Sequence, residues 1–333
     1  MRLLRKKGTN RAEETRIFFA TDAHGSETTF RKFLNAARFY EVDVLIYGGD
    51  LMGKIVVPLV DGGGGRYRAS LHGKQHVVEG TEQLEEFRHR LDTLGFYSIV
   101  LDQDRYDSFA GNQDAVDDLF DELARERLVK WCELGEERLA GSGVRVYLCG
   151  GNDDTPVALS ILEEAATEHV IPCENKLVQI DEEHTLASVG YSTPTPWNTP
   201  RELPDDEMGV LIEKLVGDIP DHSKTIFNFH TPPLDSNLDT CMKLDASTDP
   251  PSPILDGGQP VYFGAGSGSV REAIEKYQPV MGLHGHIHES RGISRYGDTP
   301  SFNPGSEYGE GVLKGLIVGV KGGRVTGYQF TSG

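Results

Sequence analysis

The chain has 333 residues, with 33 Lys and Arg against 52 Asp and Glu, a formal net charge of −19 and a pI near 5.0. A field of that sign repels polyanions, so extended DNA or RNA is excluded as a default partner, although a local cleft can still hold a small phosphate compound. No apolar run nears the ~20 residues of a membrane span, and Cys132, Cys149, Cys173 and Cys241 lack C-x-x-C spacing, which points to free thiols in a cytoplasmic protein.

Met1 to Arg16 is basic, through Arg2, Arg5, Lys6, Lys7 and Arg11, but no apolar segment of a secretory signal follows. It reads as a frayed end. Arg16 to Thr21 is a strand candidate that runs into Asp22-Ala23-His24-Gly25. Ser26 is placed to cap a helix whose Phe30, Phe33, Leu34 and Ala37 share one face. Val42 to Gly49 is a second strand, ending in Gly49-Asp50. Strand, helix and strand in this order imply parallel neighbours in an α/β sheet.

The stretch at about 54–111 departs from that rhythm and reads as an insertion decorating one domain that spans 1–333. Thr81 is its expected helix cap, with Leu84, Phe87, Leu91 and Leu94 as the apolar stripe. Arg66, Arg68, His72, Lys74 and His76 form a local positive patch. A solvated hairpin is the first reading of that patch, and a cap that helps hold a phosphate is the second.

Asp114 to Ala140 is a long amphipathic helix, and Val144 to Cys149 a third strand that enters Gly151-Asn152-Asp153-Asp154. Thr155-Pro156 opens another helix. Leu177–Ile180 and Leu186–Gly190 pair as a hairpin. Residues Tyr191 to Leu203, rich in proline, read as an ordered loop over a site. A helix follows from about Asp205, then a strand at Thr225–Phe229 that ends at His230. Leu238 to Gly268 reads as irregular, and Ser269 with Glu272 as a capping box.

Pro279 to Gly282 leads into Leu283-His284-Gly285-His286-Ile287-His288. In extended chain, residues two apart point the same way, so His286 and His288 face one centre. Ser301 to Ser306 reads as a turn, and Leu316–Val320 with Arg324–Phe330 as a closing hairpin.

Five strands therefore run into potential metal ligands: Asp22 and His24, Asp50, Asn152, His230, and His286 with His288. Ligands of open α/β sheets gather outside the carboxyl ends of strands. The set is oxygen and nitrogen with no thiolate, which suits Mn, Fe or Zn. It is too large for one tetrahedral ion and matches two ions about 3.5–4 Å apart.

In this order, Asp22-x-His24, Gly49-Asp50, Gly151-Asn152, His230 and Gly285-His286-x-His288 resemble the calcineurin-like metallophosphoesterases. Pro232-Pro233 and Asn303-Pro304-Gly305-Ser306 resemble the branch related to cyclic-nucleotide phosphodiesterases. The resemblance implies a two-sheet β sandwich flanked by helices, in four layers, around a dinuclear centre of divalent or mixed-valence ions. It implies that Asp22, His24 and His288 hold one ion, that Asn152, His230 and His286 hold the other, and that Asp50 bridges. The expected activity is hydrolysis of a small phosphodiester or phosphomonoester by in-line attack of a metal-bridging hydroxide. Oligomers are compatible with this reading.

One departure matters. Many members follow the Asn with a His that protonates the leaving group, and here Asp153 stands there. An ordinary Asp, with a pKa of about 3.9, is a poor acid at neutral pH. The catalytic candidates are therefore Asn152, Asp153 and His284, with His72 and His76 as further proton sources. Asp153 as a turn residue or an acceptor that supports Asn152, and His284 as a packed strand residue, are the bland alternatives. Diester hydrolysis is favoured because the usual acid is missing. A nuclease of the same chemistry and a non-catalytic metal-binding scaffold are the competing functions.

Overall fold

The computed structural model describes residues 14–248 and 250–333, so the basic start up to residue 13 lies outside the described residues. Strand β1 (Thr15–Ala20) is buried on both faces. Ile17 and Phe19 enter one apolar cluster, while Phe18 and Ala20 enter another. This is the period-two alternation of an extended chain covered on both sides, and it explains the unbroken apolar run.

Helix α1 (Glu27–Phe39) follows, with the Ser26 hydroxyl accepting from the Thr29 N–H. Phe30, Phe33, Leu34 and Ala37 pack inward. Strand β2 (Val44–Tyr47) then pairs parallel to β1.

The insertion builds its own sheet. Strands β3 (Val56–Asp61), β4 (Arg66–Leu71) and β5 (Lys74–Glu79) lead to helix α2 (Gly80–Thr93) and strand β6 (Tyr97–Leu101), in the order β5-β4-β3-β6. Val57, Leu59, Leu71, Val78, Leu84, Phe87 and Leu91 close a cluster of their own. Thr81 does not cap α2. The helix starts two residues earlier than that cap would set, with Glu79 at the cap position and no side-chain cap bond, because the strand runs into the helix through Gly80 at φ 77°.

Helices α3 (Gln103–Ser108) and α4 (Gln113–Leu139) lead to β7 (Arg145–Leu148), α5 (Pro156–Glu164), β8 (Val170–Pro172), β9 (Leu177–Gln179), β10 (Thr185–Val189), α6 (Asp205–Val216) and β11 (Thr225–Phe229). The segment expected to be irregular holds three two-stranded ribbons: β12 (Thr240–Met242) with β17 (Tyr262–Gly264), β13 (Leu244–Asp245) with β14 (Ser252–Pro253), and β15 (Leu255–Asp256) with β16 (Gln259–Pro260). Its Pro and Gly content set the turns without preventing pairing.

Helix α7 (Gly268–Tyr277) is capped by Ser267, not Ser269. Ser269 lies inside the helix, and its hydroxyl donates to the Asp205 carbonyl at 2.6 Å. The chain closes with β18 (Met281–Leu283), β19 (Gly292–Tyr296), β20 (Thr299–Asn303), β21 (Lys314–Lys321) and β22 (Arg324–Ser332). Ser301 and Phe302 are thus strand residues, and the turn begins only after Asn303.

Two six-stranded sheets result, ordered β22-β21-β1-β2-β7-β8 and β19-β20-β18-β11-β10-β9. One buried cluster draws from both, with Phe19, Ile46 and Tyr147 from the first and Leu186, Ile226, Leu283 and Phe302 from the second. Strands β1, β2 and β7 run parallel, as do β10, β11 and β18. Their carboxyl ends therefore open on one edge of each sheet.

Glu27 ties α1 to α4. Its Oε2 accepts from Trp131 Nε1 at 2.6 Å, and its Oε1 accepts from Arg31 Nε at 2.9 Å and faces Lys130 Nζ at 3.0 Å. Burial alone would raise this carboxyl, but Trp131, Lys130 and Arg127 together hold it at about 2, against an ordinary 4.5. A depressed carboxyl stabilises the fold above its ordinary value, and that stability is lost as pH falls toward 2. We expect Glu27→Gln to cost about 1–2 kcal/mol at neutral pH, since solvent screens its exposed Lys130 and Arg31 partners, and to weaken the acid dependence between pH 4.5 and 2. Urea unfolding followed by the emission of buried Trp131 measures both.

Candidate metal centre

Four of the seven candidate ligands leave their strands by a sharp change of backbone direction. Asp22, His24, Asp50 and His286 all have positive φ, at 56°, 41°, 53° and 65°. Non-glycine residues in that region cost on the order of 1–3 kcal/mol each and gather at functional sites. The neighbouring glycines are required by space. A Cβ on Gly151 would collide with the Asp50 carboxylate, and one on Gly285 with Thr21 Oγ1 and Asp22 Oδ2 at 2.6 Å.

All seven predicted ligands come together. His24 Nε2 lies 3.0 Å from His288 Nε2, and His288 Nε2 lies 3.4 Å from Asp22 Oδ1. On the other side, Asn152 Oδ1 faces His286 Nδ1 at 2.7 Å and His230 Nε2 at 3.1 Å. Asp50 Oδ2 sits between these sets, 3.6 Å from His24 Nε2 and 3.3 Å from His230 Nε2. Ligand-type atoms of Asp22, His24 and His288, and of Asp22, Asp50 and His230, each lie within 4.8 Å of one another. Buried Asp and His groups in such clusters are able to hold metal ions.

The orientations fit that chemistry. His230 Nδ1 bonds the Gly48 carbonyl at 3.0 Å, which fixes the ring and turns Nε2 toward the cluster. Asn152 Nδ2 donates to Thr199 Oγ1 at 3.0 Å, which turns Oδ1 toward the imidazoles. Asp22 Oδ2 is buried and has no hydrogen-bond partner among the described residues.

Burial alone pushes Asp22 up, yet His288 and His230 hold it at about 2. Burial alone would lower His230, but Asp50 and Asp22 raise it to about 9. Burial and His230 pull His286 down to about 4, and burial with Lys54 lowers His24. Neutral imidazoles with free lone pairs are the form that binds metal, so His286 and His24 are already in that form, whereas His230, held protonated by the two carboxylates, would give up its Nε2 proton to an ion.

The catalytic candidates are placed differently. Asp153 reaches the mouth, with its N–H donating to Asp50 Oδ1 at 2.9 Å and its Oδ2 3.4 Å from His24 Nδ1. Burial and Asp50 push its carboxyl up to about 6, against the pull of Lys54. His284 is fully buried. Its Nδ1 bonds the Phe229 carbonyl at 2.8 Å, and its Nε2 has no partner among the described residues. His72 and His76 pack on Phe96 and Phe87, rings of the insertion itself.

Several supporting residues had no individual role in the sequence reading, although Asn303 stood in a motif noted there and Arg201 in the loop expected over a site. Asp154 accepts from the N–H groups of Leu51, Met52 and Gly151 at 3.0, 2.7 and 2.7 Å, and so pins the Asp50 loop to the Asn152 loop. Buried Arg201 forms an ion pair with Glu174 and donates to the Gly151 carbonyl at 3.1 Å. Asn303 Nδ2 reaches the carbonyls of Gly285 and Ile287 at 3.2 and 2.9 Å. The Tyr308 ring lies 4.7 Å from that of His24 and 5.9 Å from that of His288. Lys54 pairs with Asp153. The proline-rich loop does lie beside the site, through Thr199 and Arg201.

No protein-family model matches the chain. An uncharacterized protein of Methanocaldococcus jannaschii is 29% identical over 163 residues, a match that spans 48% of this chain and 64% of that protein. The fold is similar to that of TT1561 of Thermus thermophilus, with a TM-score of 0.50 and 14% identity over 92% of this chain and 98% of the other. A structure described as a novel archaeal phosphodiesterase overlaps at a TM-score of only 0.34, with 12% identity over 96% of this chain and 99% of the other, which is too little to carry weight.

Truncating Asp154 strands three buried N–H groups. Asp154→Ala is expected to cost about 3 kcal/mol or more and to weaken Mn binding by roughly 10–100-fold. Thermal unfolding and metal titration measure the two effects separately.

Proposed function

We propose that the protein is a metal-dependent phosphoesterase of the calcineurin-like type, with the helix-flanked two-sheet sandwich of that family, acting on a small phosphodiester in preference to a monoester. The observation that carries this reading is the position of Asp50 Oδ2 between His24 Nε2 and His230 Nε2, a bridging place between two sets of ligands. Asp22, His24 and His288 would hold one ion and Asn152, His230 and His286 the other. Mn, Fe and Zn suit that donor set. When bound, such ions supply Lewis acidity, a water of lowered pKa and a clamp on phosphoryl oxygens.

The chain's own groups complete the site. Asp22 and Asp50 balance the positive charge, and Gly48 and Thr199 fix the faces that His230 and Asn152 present. Tyr308 covers one side of His24. Buried His284, with Nδ1 committed to a backbone carbonyl, supports β18 in this reading and does not protonate a leaving group.

Cys132, Cys149, Cys173 and Cys241 are free, and the first three are buried, in keeping with a cytoplasmic location. No described helix is long and apolar enough to cross a membrane. The insertion belongs to a single domain in this account. A nuclease would share the chemistry, but the net charge of −19 opposes a long polyanion. A scaffold would bind metal without turnover.

Metal analysis of the purified protein should find bound transition ions, and with added Mn it should hydrolyse bis-p-nitrophenyl phosphate faster than p-nitrophenyl phosphate. Asp50→Asn is expected to lose both metal and turnover. Full metal content with neither ester cleaved would count for the scaffold.

A further inference from the structure

Lys54 opens the insertion, four residues after Asp50 in the chain. Its backbone is held firmly. The Gly53 N–H donates to the Tyr97 hydroxyl at 2.9 Å. Gly25, Gly53 and Gly95 pack so closely that a Cβ on Gly25 would lie 2.7 Å from Gly53 Cα. The root of the insertion is thereby clamped onto the loop that carries His24.

From this root the Lys54 ammonium meets Asp153 Oδ2, while 45% of its side chain stays exposed. Asp153 in turn touches Asp50 through its N–H and lies beside His24. The ammonium therefore stands one carboxylate away from two proposed ligands, on their solvent side. Its charge also reaches His288 and Tyr308. Buried Arg201 is committed to Glu174 and the Gly151 carbonyl, so it cannot serve the mouth. The pair is open to water at its lysine end, where screening limits what it adds to stability.

We propose that Lys54 is the group that holds the leaving oxygen during phosphoester cleavage, with Asp153 as the residue that positions its ammonium. The inference rests on the phosphoesterase reading above. In the step, water supplies the oxygen that bonds to phosphorus. The P–O bond to the leaving group breaks, and its electron pair stays on the ester oxygen. The Lys54 N–H donates a hydrogen bond to that oxygen and offsets its charge, and solvent then protonates it to the free alcohol. The products are one alcohol and one phosphate carrying a new hydroxyl. A fixed cation at this place matters most where the leaving oxygen is basic. The substrate class is therefore alkyl phosphate esters, whose alkoxides leave poorly, rather than activated aryl esters.

The test uses metal-loaded wild type, Lys54→Met, Lys54→Arg and Asp153→Asn on methyl phosphodiesters with p-nitrophenyl, phenyl and alkyl leaving groups. Metal content and unfolding temperature are measured for each protein. Lys54→Met should lose about 10²-fold in kcat on the phenyl and alkyl esters but less than about threefold on the p-nitrophenyl ester. Its rate should thus depend more steeply on leaving-group basicity, which a merely structural role would not produce. Lys54→Arg should recover part of the loss, and Asp153→Asn should show the same trend more weakly. Calorimetry should show inorganic phosphate binding about tenfold more weakly to Lys54→Met at equal metal content. Equal losses on all three esters, or none, would overturn the role of Lys54 and leave the phosphoesterase reading intact. A fully loaded wild type that cleaves none of them would overturn both.

Discussion

Two carboxylates and four imidazoles crowd together at the strand ends, with Asp22, Asp50, His24 and His230 buried and His286 and His288 on the more open side. Burying charge is costly unless it is paired, and the rest of the structure answers that constraint. Asp22 and Asp50 are held ionised by the imidazoles around them. The backbone turns left-handed at Asp22, His24, Asp50 and His286 to keep these groups converging. Such strain persists only where the surroundings over-determine it.

Those surroundings are polar braces placed just behind the ligands. Asp154 fastens two loops through three N–H groups. Asn303 fastens the His286 loop from β20, and Ser306 Oγ donates to the Asp22 carbonyl at 2.8 Å. Arg201 and Glu174 hold the Gly150–Gly151 turn from below. Ligands on short loops become precise when their loops are tied to strands in this way.

The mouth of the site differs in character from the surface around it. The chain as a whole is strongly acidic, while Lys54 and the aromatic face of Tyr308 line the opening beside His24. A global negative field with one fixed cation at the entrance suits a small anionic ester better than a long polyanion.

Much of this was legible along the chain. Apolar runs buried on both faces announced the parallel strands, and each ran straight into a candidate ligand, so the convergence of Asp22, His24, Asp50, Asn152, His230, His286 and His288 was readable in order. The caps at Ser26 and Thr155 followed from local hydrogen-bond chemistry. Where two local solutions competed, the sequence was ambiguous: Ser267 took the cap expected of Ser269, and α2 began at Gly80 rather than after Thr81.

The partners of Asp153, Asp154, Arg201 and Tyr308 were settled only by the tertiary fold. Each reaches across a gap in sequence, as Asp154 does to Leu51 and Arg201 to Glu174. Period and spacing report which way a side chain leaves its own element. Which group waits on the other side depends on how separate elements pack, and that information exists only in three dimensions.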